Sequence, residues 1–191
     1  LMTSCGEYQS LLKSNDYNLV YKKAIEYYNK GDYQRAMNLL DGVRSVFVGQ
    51  AKAQNIAYYR AFCSYNMKDY QIASDLFRQF IQTYPESSFA EECLYMMGFC
   101  DYKASPKPRL DQQVTEKAIR EFQLYLSRYP YSMRKDKVNT YMDEMRDKLS
   151  YKAYLSAKNY YLREHYKAAV ISLQNCLLYT SPSPRDRSVS R

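Results

Sequence analysis

Few of the residues that usually perform catalysis are arranged so that they could act together. The single histidine, His165, stands at a turn position that carries Asp32 and Asp69 in two related segments, which favours a structural role. Glu91 and Glu92 are adjacent on a predicted helix, so their side chains diverge. The sequence has no glycine-rich phosphate loop, zincin motif or CxxC pair. We therefore expect a binding protein without metal or cofactor, and not an enzyme.

The sulfur of Cys5 is the one group whose surroundings specify a reaction. The stretch LMTSCG at positions 1–6 resembles the end of a bacterial lipoprotein signal peptide. The sulfur of such a cysteine receives a diacylglyceryl group through a thioether bond, and its new amine receives a further acyl chain such as palmitate after cleavage. Several acyl chains anchor a protein stably, whereas one binds marginally. We expect a signal-peptide remnant at 1–4 and a lipidated Cys5 with a polar tether at 5–16; the alternative is an incidental cysteine near a terminus.

The other four cysteines favour core packing over chemistry. Cys63 and Cys100 occupy equivalent positions 37 residues apart in a repeated pattern, as small packing residues do. Cys93 lies seven residues before Cys100 on one predicted helix, about 10 Å along its axis, which is too far for a disulfide between them. A disulfide elsewhere stays open in an oxidising compartment. Buried thiols are the favoured interpretation.

A repeated pattern indicates how the helices are organised. The spacing Ala73, Phe77, Phe80, Pro85 recurs as Ala118, Phe122, Tyr125, Pro130. Offsets of four and seven place side chains on one helix face, and the proline then ends the helix. Small residues recur 37 positions apart in the preceding helices, at Ala24, Ala61 and Gly98, with Ala157 at the same place in the last unit. The pattern predicts tetratricopeptide-type helix pairs, with a period slightly longer than the basic repeat of about 34 residues.

The predicted fold is all-α, a tetratricopeptide-repeat solenoid over 17–176 with about nine helices in a right-handed superhelix of antiparallel pairs. The predicted helix pairs are 17–30 with 33–47, 51–67 with 70–83, 87–103 with 113–128, and 151–163 with 166–176. An additional helix is predicted at 132–149, because apolar residues recur there at three- and four-residue steps. A proline-containing loop at 105–111 interrupts the third pair. The final repeat is cut short.

Charge and the end of the chain exclude one class of partner. The segment 177–191 resembles an in-frame translation of sequencing adapter, so we exclude it from functional reasoning. Its three arginines and one aspartate contribute +2 of the chain's +8, which leaves +6 on the rest. The remaining basic residues alternate with acidic ones, as on a solvated helix surface. We therefore expect no nucleic-acid binding.

Tyrosines recur around the small residues of the first helices. One tyrosine stands three residues before each small residue and another four residues after it, with a further side chain, usually apolar, between them. Seven-residue spacing places each tyrosine pair on one helix face, which in tetratricopeptide proteins generally lines the peptide groove. The predicted groove residues are Tyr21, Tyr28, Tyr58, Phe62, Tyr65, Tyr95, Phe99 and Tyr102, and the last unit contributes Tyr154, Lys158 and Tyr161. Packing between repeats is an equally supported interpretation.

Several stretches together resemble a known family. They are 77–87 (FRQFIQTYPES), the loop 110–112 (LDQ), and 122–132, with 115–118 between the last two. With Cys5 and the repeats, they resemble the BamD family of lipoproteins in the outer-membrane β-barrel assembly machinery, and the many tyrosines are similar to homologues from the Bacteroidetes. The resemblance covers roughly residues 5–176.

The resemblance implies an adaptor that is lipid-anchored in the outer membrane and faces the periplasm. In this family the N-terminal repeats are thought to receive unfolded barrel precursors, and the C-terminal repeats dock the barrel-forming partner BamA. Since the last repeat is cut short, we expect the BamA-docking surface to be incomplete. The main alternative is an envelope lipoprotein that scaffolds peptidoglycan or cell-division proteins. Glycan capture is less favoured, because it needs long aromatic loops and this chain has one short insertion.

Overall fold

The computed structural model describes residues 3–180, excepting the side chains of 3–5, 175 and 177–180. Over this range the chain forms nine α-helices and no strand, which confirms the predicted all-α, tetratricopeptide-like fold. The helices are α1 (Thr3–Leu12), α2 (Tyr17–Asn29), α3 (Tyr33–Val43), α4 (Ala51–Asn66), α5 (Tyr70–Thr83), α6 (Ala90–Ala104), α7 (Gln113–Arg128), α8 (Lys135–Leu162) and α9 (Tyr166–Thr180).

The chain divides into two compact units, Leu1–Lys103 and Ala104–Arg191. In the first unit α2 packs on α3, α3 on α4 and α4 on α5. In the second unit α8 packs on both α7 and α9. The small residues that define the repeat are all buried, as a close approach of helices requires: Ala24, Ala36, Ala61, Ala73, Gly98, Ala118 and Ala157.

The turns within three helix pairs share one backbone geometry. In each of them a residue of the left-handed conformation ends the first helix: Gly31 (φ 81°), Lys68 (φ 68°) and Glu164 (φ 62°). In the last turn the backbone N–H of Glu164 donates to the carbonyl of Tyr161, and that of His165 donates to the carbonyl of Tyr160. The equivalent backbone N–H groups in the two earlier turns form the same two hydrogen bonds. His165 thus occupies a turn position, and its side chain is exposed.

A helix, α1, covers most of the stretch that we expected to be a polar tether. Tyr8 and Leu11 lie three residues apart, and both side chains are buried in the core of the first unit. The ring of Tyr8 contacts that of Tyr27 at 5.9 Å between centroids, and the Asn38 amide donates to the Tyr8 hydroxyl at 3.0 Å. Two apolar residues on one face therefore dock this helix on the core. The polar composition of the stretch had led us to predict a tether instead of a helix.

The helix α8 is continuous where two helices were predicted, at 132–149 and 151–163. Its 28 residues contain neither glycine nor proline, so nothing ends the helix near residue 150. One buried face, formed by Val138, Met142, Met145 and Leu149, runs along its first half. Ala157 continues the burial in its second half. The prediction of two helices was therefore wrong, although the buried face was predicted correctly.

Hydrogen bonds fix the predicted loop between α6 and α7. The Thr115 hydroxyl, which is fully buried, bonds to the side chains of Ser105 (2.6 Å) and Gln112 (2.7 Å). The Gln112 amide in turn donates to the carbonyls of Lys107 and Leu110 at 2.8 and 3.1 Å. From α8, the Lys148 ammonium donates to Ser105 at 2.7 Å, and burial lowers the pKa of Lys148. The loop is thus part of the rigid second unit.

Two of the remaining predictions concern the ends of the chain. The helix α9 runs to Thr180, so it includes the first four residues of the segment 177–191. The rest of that segment lies outside the described residues, as does the side chain of Cys5. None of the helices described has the length and apolar character needed to cross a membrane.

The core position Phe122 provides a test of this packing. Its side chain is fully buried on α7, so Phe122→Ala is expected to lower the free energy of unfolding by about 3–5 kcal/mol through lost contacts and a cavity. Leu124→Ala on the same helix removes an exposed side chain and should change stability by no more than about 0.5 kcal/mol. Urea denaturation of both variants measures the difference. Equal losses would contradict the assigned burial.

Candidate functional site

The first helices of three pairs, α2, α4 and α6, lie side by side in the first unit. Between α2 and α4, the rings of Tyr28 and Tyr59 contact each other at 4.9 Å. Between α4 and α6, the ring of Tyr65 lies 6.2 Å from that of Phe99. Ring contacts, made directly or through Tyr59, connect seven of the eight predicted groove residues, whereas Tyr21 packs against Phe47. The eight residues are here called the aromatic ladder: Tyr21, Tyr28, Tyr58, Phe62, Tyr65, Tyr95, Phe99 and Tyr102.

Tyr58 is at the centre of the ladder. Its ring contacts Phe62 at 4.5 Å and Phe89, from the segment preceding α6, at 4.6 Å. Its hydroxyl donates to the Glu92 carboxylate at 2.9 Å, which joins α4 to α6. Burial, and then the hydrogen bond to Glu92, raises the pKa of Tyr58 well above its usual value. The hydroxyl therefore stays protonated as a donor across the physiological range.

Tyr28 has the equivalent role between α2 and α4. Its ring contacts Tyr33 at 5.5 Å as well as Tyr59, and the Asn66 amide donates to its hydroxyl at 3.5 Å. Burial raises the pKa of Tyr28 from 10.0 to about 12. The bond from Asn66 of α4 to Tyr28 of α2 therefore supports the ladder.

The remaining members extend the ladder to both sides. On α6, Phe99 stacks between Tyr95 and Tyr102, with centroid distances of 5.7 and 5.9 Å, and the Lys103 ammonium lies 5.2 Å from the Phe99 ring. On α2, Tyr21 contacts Phe47 at 6.1 Å. Phe62 reaches the core below, where its ring lies 5.0 Å from that of Phe77.

The burial of the ladder shows that its rings pack between helices. Tyr95 is buried and the other seven are half-buried, so part of each ring remains accessible. Tyr28, Tyr58 and Tyr65 contact a neighbouring first helix. Ligand binding on the accessible faces of the ladder stays a prediction. Tyr59 and Phe89 are essential connecting rings that the sequence reasoning missed. Tyr59 follows Tyr58 directly, but the 37-residue period does not select it, and Phe89 belongs to a turn.

The equivalent tyrosines of the second unit have different surroundings. Tyr154 and Tyr161 of α8 are exposed, with 46% and 62% of their surface accessible. Tyr154 contacts Tyr151 at 6.2 Å, and Tyr161 contacts Tyr166 at 5.7 Å. The same repeat position thus packs half-buried rings in the first unit and presents open rings in the second.

Four cysteines have described side chains that form no disulfide, and three of them, Cys63, Cys93 and Cys100, are buried while Cys176 is half-buried. Burial raises the pKa of both Cys63 and Cys93 to about 12, so the reactive thiolate is not populated at neutral pH. Core packing accounts for these residues. Among the residues described, no group of three or more His, Cys, Asp or Glu side chains is arranged to hold a metal ion.

Comparison with protein families identifies what this chain is similar to. A family model described as outer membrane lipoprotein, YfiO, matches residues 13–181. This range begins within the α1–α2 connection and includes the whole aromatic ladder. A search of curated proteins found no match.

The pKa of Tyr28 predicts how stability depends on alkaline pH. The unfolded phenol ionises near pH 10, whereas the folded one ionises near pH 12. The full contribution of Tyr28 to stability is therefore present below pH 10, and it is lost as the pH rises through 12. Between pH 10 and pH 12, the free energy of unfolding of Tyr28→Phe should fall less than that of wild type, as measured by urea denaturation. Tyr17→Phe, which removes an exposed hydroxyl, is the control and should follow wild type; identical profiles for all three would contradict the assignment.

Proposed function

Because the chain belongs to the YfiO family of outer membrane lipoproteins, we propose that it is a BamD-type adaptor of the β-barrel assembly machinery. In this proposal the protein is held at the outer membrane through lipid on Cys5 and faces the periplasm. The first unit receives unfolded barrel precursors, and the second unit docks the BamA-type partner. The protein performs no chemistry itself, and it positions one protein with respect to another.

The observation that carries the proposal is the continuity of the aromatic ladder across α2, α4 and α6. Ring contacts link the three helices through Tyr28, Tyr59, Tyr58, Phe62, Tyr65 and Phe99. A barrel strand alternates apolar and polar side chains along an extended backbone. Tyrosines offer an apolar ring and a hydroxyl on the same side chain, so they suit such a segment. Because the rings are already held by packing, binding costs little side-chain entropy.

Charge favours aromatic contact as the mode of capture in the first unit. Residues 1–103 contain 11 basic and 11 acidic residues, so this unit is formally neutral. Residues 104–180 contain 14 basic and 8 acidic residues, so this part carries the whole excess of +6. Barrel precursors differ widely in charge but share apolar alternation. A neutral aromatic surface therefore accepts many of them.

Exposed apolar side chains on α8 and α9 support a protein contact in the second unit. They are Tyr151, Tyr154, Tyr160, Tyr161, Leu162, Tyr166, Val170, Ile171 and Leu173. Ring contacts link Tyr151 with Tyr154 and Tyr161 with Tyr166, and clusters of exposed apolar side chains mark interaction sites on soluble proteins. We assign the docking of the BamA-type partner to this surface.

Depletion of the protein in its host is the test of the overall role. We expect several unrelated outer-membrane β-barrels to fall together, because the assembly step is common to all of them. Quantitative proteomics of outer-membrane fractions measures this, and the levels of other lipoproteins provide the control. Unchanged barrel levels, with cell-wall synthases in place of a BamA-type protein in a crosslinked pull-down, would support the envelope-scaffold alternative instead.

A second experiment tests the ladder itself. Tyr58→Ala with Tyr65→Ala is expected to weaken the binding of a strand-length peptide from a barrel precursor by about tenfold or more, because two anchoring rings are lost. Tyr58→Phe with Tyr65→Phe keeps both rings in place and should bind nearly as wild type. Calorimetric titration below the unfolding midpoint of each variant gives the affinities.

Circular dichroism of the alanine variant separates binding from packing. A helical spectrum together with weak binding supports a groove. An unchanged affinity in the folded alanine variant would contradict the assignment of these two rings to peptide binding.

A further inference from the structure

The turn between α7 and α8 carries the two most exposed large apolar side chains in the described part of the chain. Tyr131 is 97% exposed, and Met133 is fully exposed. They stand two residues apart in the turn 129–134, between helices that are themselves well packed. Neither side chain supports the core, so the fold does not account for either residue type. A contact outside the molecule would account for both.

The chain contains its own comparison, in the turn 84–89 between α5 and α6. The two turns align as Tyr84-Pro85-Glu86-Ser87-Ser88-Phe89 and Tyr129-Pro130-Tyr131-Ser132-Met133-Arg134. Glu86 and Ser88 occupy the places of Tyr131 and Met133, and both are exposed. The outward positions therefore tolerate polar residues in one turn and carry apolar residues in the other.

The same backbone hydrogen bonds hold both turns. The N–H of Ser87 donates to the Tyr84 carbonyl at 3.2 Å, and the N–H of Ser132 donates to the Tyr129 carbonyl at 3.1 Å. Each serine hydroxyl then accepts a bond from the N–H two residues later, at 3.2 Å in both turns. The second turn has an additional bond, at 2.6 Å, between the hydroxyls of Tyr125 and Ser132. A rigid turn therefore holds Tyr131 and Met133 outward.

The charge around the two turns is opposite. The ten residues 83–92 contain three acidic residues and no basic one, a formal charge of −3. The corresponding ten residues 128–137 contain four basic residues and one acidic residue, a formal charge of +3. Of the basic residues, Arg128, Lys135 and Lys137 are exposed. The apolar tip of the second turn is thus flanked in sequence by four basic residues, here called the basic collar: Arg128, Arg134, Lys135 and Lys137.

From this combination we infer that the α7–α8 turn is a contact site for an anionic lipid surface. Tyrosine favours the boundary between headgroups and acyl chains, and a flexible thioether enters an apolar layer readily. Lysine and arginine near the surface are attracted by anionic headgroups, and the attraction weakens as salt screens it. The contact supplements the anchor that an outer membrane lipoprotein already has, and it does not depend on a role in barrel assembly.

Vesicle binding of this 191-residue chain, produced in the cytosol so that Cys5 is not acylated, tests the inference. We expect binding to vesicles in which about one third of the phosphatidylcholine is replaced by phosphatidylglycerol, and weaker binding to pure phosphatidylcholine. Tyr131→Glu with Met133→Ser transfers the residues of the first turn into the second. The partition coefficient on anionic vesicles should then fall about tenfold, because both inserting side chains are lost.

Two further variants serve as controls. Val48→Glu with Ile72→Ser makes the same changes of charge and polarity at two other exposed apolar residues, and it should bind as wild type. Lys135→Gln with Lys137→Gln keeps the tip and should lose most of the preference for anionic over neutral vesicles. Circular dichroism should show unchanged helicity in every variant. For the Tyr131→Glu, Met133→Ser variant this is expected because the turn 84–89 folds with Glu and Ser at the equivalent positions.

Wild-type protein that shows no preference for anionic vesicles would overturn the inference. Equal partition of wild type and the Tyr131→Glu, Met133→Ser variant would overturn it as well, and an acidic protein surface would then be the better partner for the collar. Neither result bears on barrel levels after depletion, so the two proposals fail independently.

Discussion

The structure depends on the close approach of helices at small buried residues. Ala24 and Ala61 on first helices, and Ala36 and Ala73 on second helices, are completely buried. A larger side chain at any of these places would force the helix axes apart, because packed interiors have little free volume. The close approach brings the tyrosines four residues after Ala24 and Ala61 within ring contact of the next first helix, Tyr28 with Tyr59 and Tyr65 with Phe99. These contacts between helices are therefore a geometric consequence of where the alanines lie.

Periodicity explains which features could be predicted from the sequence and which could not. The recurrence of small residues every 37 positions, at Ala24, Ala61 and Gly98, was sufficient to predict the first three helix pairs, because each repeat packs on its neighbour in the same way. The same spacing selected the eight ladder residues, and their use as a peptide groove stays a prediction. Two features outside the period were missed. The helix α1 has no equivalent in later repeats, and its docking depends on only Tyr8 and Leu11. The continuity of α8 through residue 150 was missed because the repeat pattern predicted the start of a new helix pair there. The sequence has no glycine or proline near residue 150 that would end the helix.

The ladder also shows how far sequence position determines environment. Tyr58 and Tyr154 are equivalent in the repeat, yet one is half-buried with its hydroxyl on Glu92 and the other is exposed. The difference arises from the helix that packs against each tyrosine. The spacing of residues along one helix does not show which helix that is. Tyr59 and Phe89 were missed for a related reason, since a connecting ring is selected by contact across helices and not by spacing along one. Predicting which tyrosines remain accessible therefore requires the packed structure.

Repetition also separates what the fold requires from what the surface is used for. The turns at 84–89 and 129–134 have the same backbone bonds, so stability does not dictate their outward residues, and differences there reflect other demands. The same argument applies to charge, because helix pairs of one design carry no net charge up to residue 103 and +6 over residues 104–180. Folding alone would not segregate charge in this way, since both units bury the same kind of apolar core. The neutral aromatic unit suits ligands that share a pattern of apolar residues, whereas the basic unit suits partners that share negative charge. One repeated scaffold thereby offers two chemically distinct surfaces.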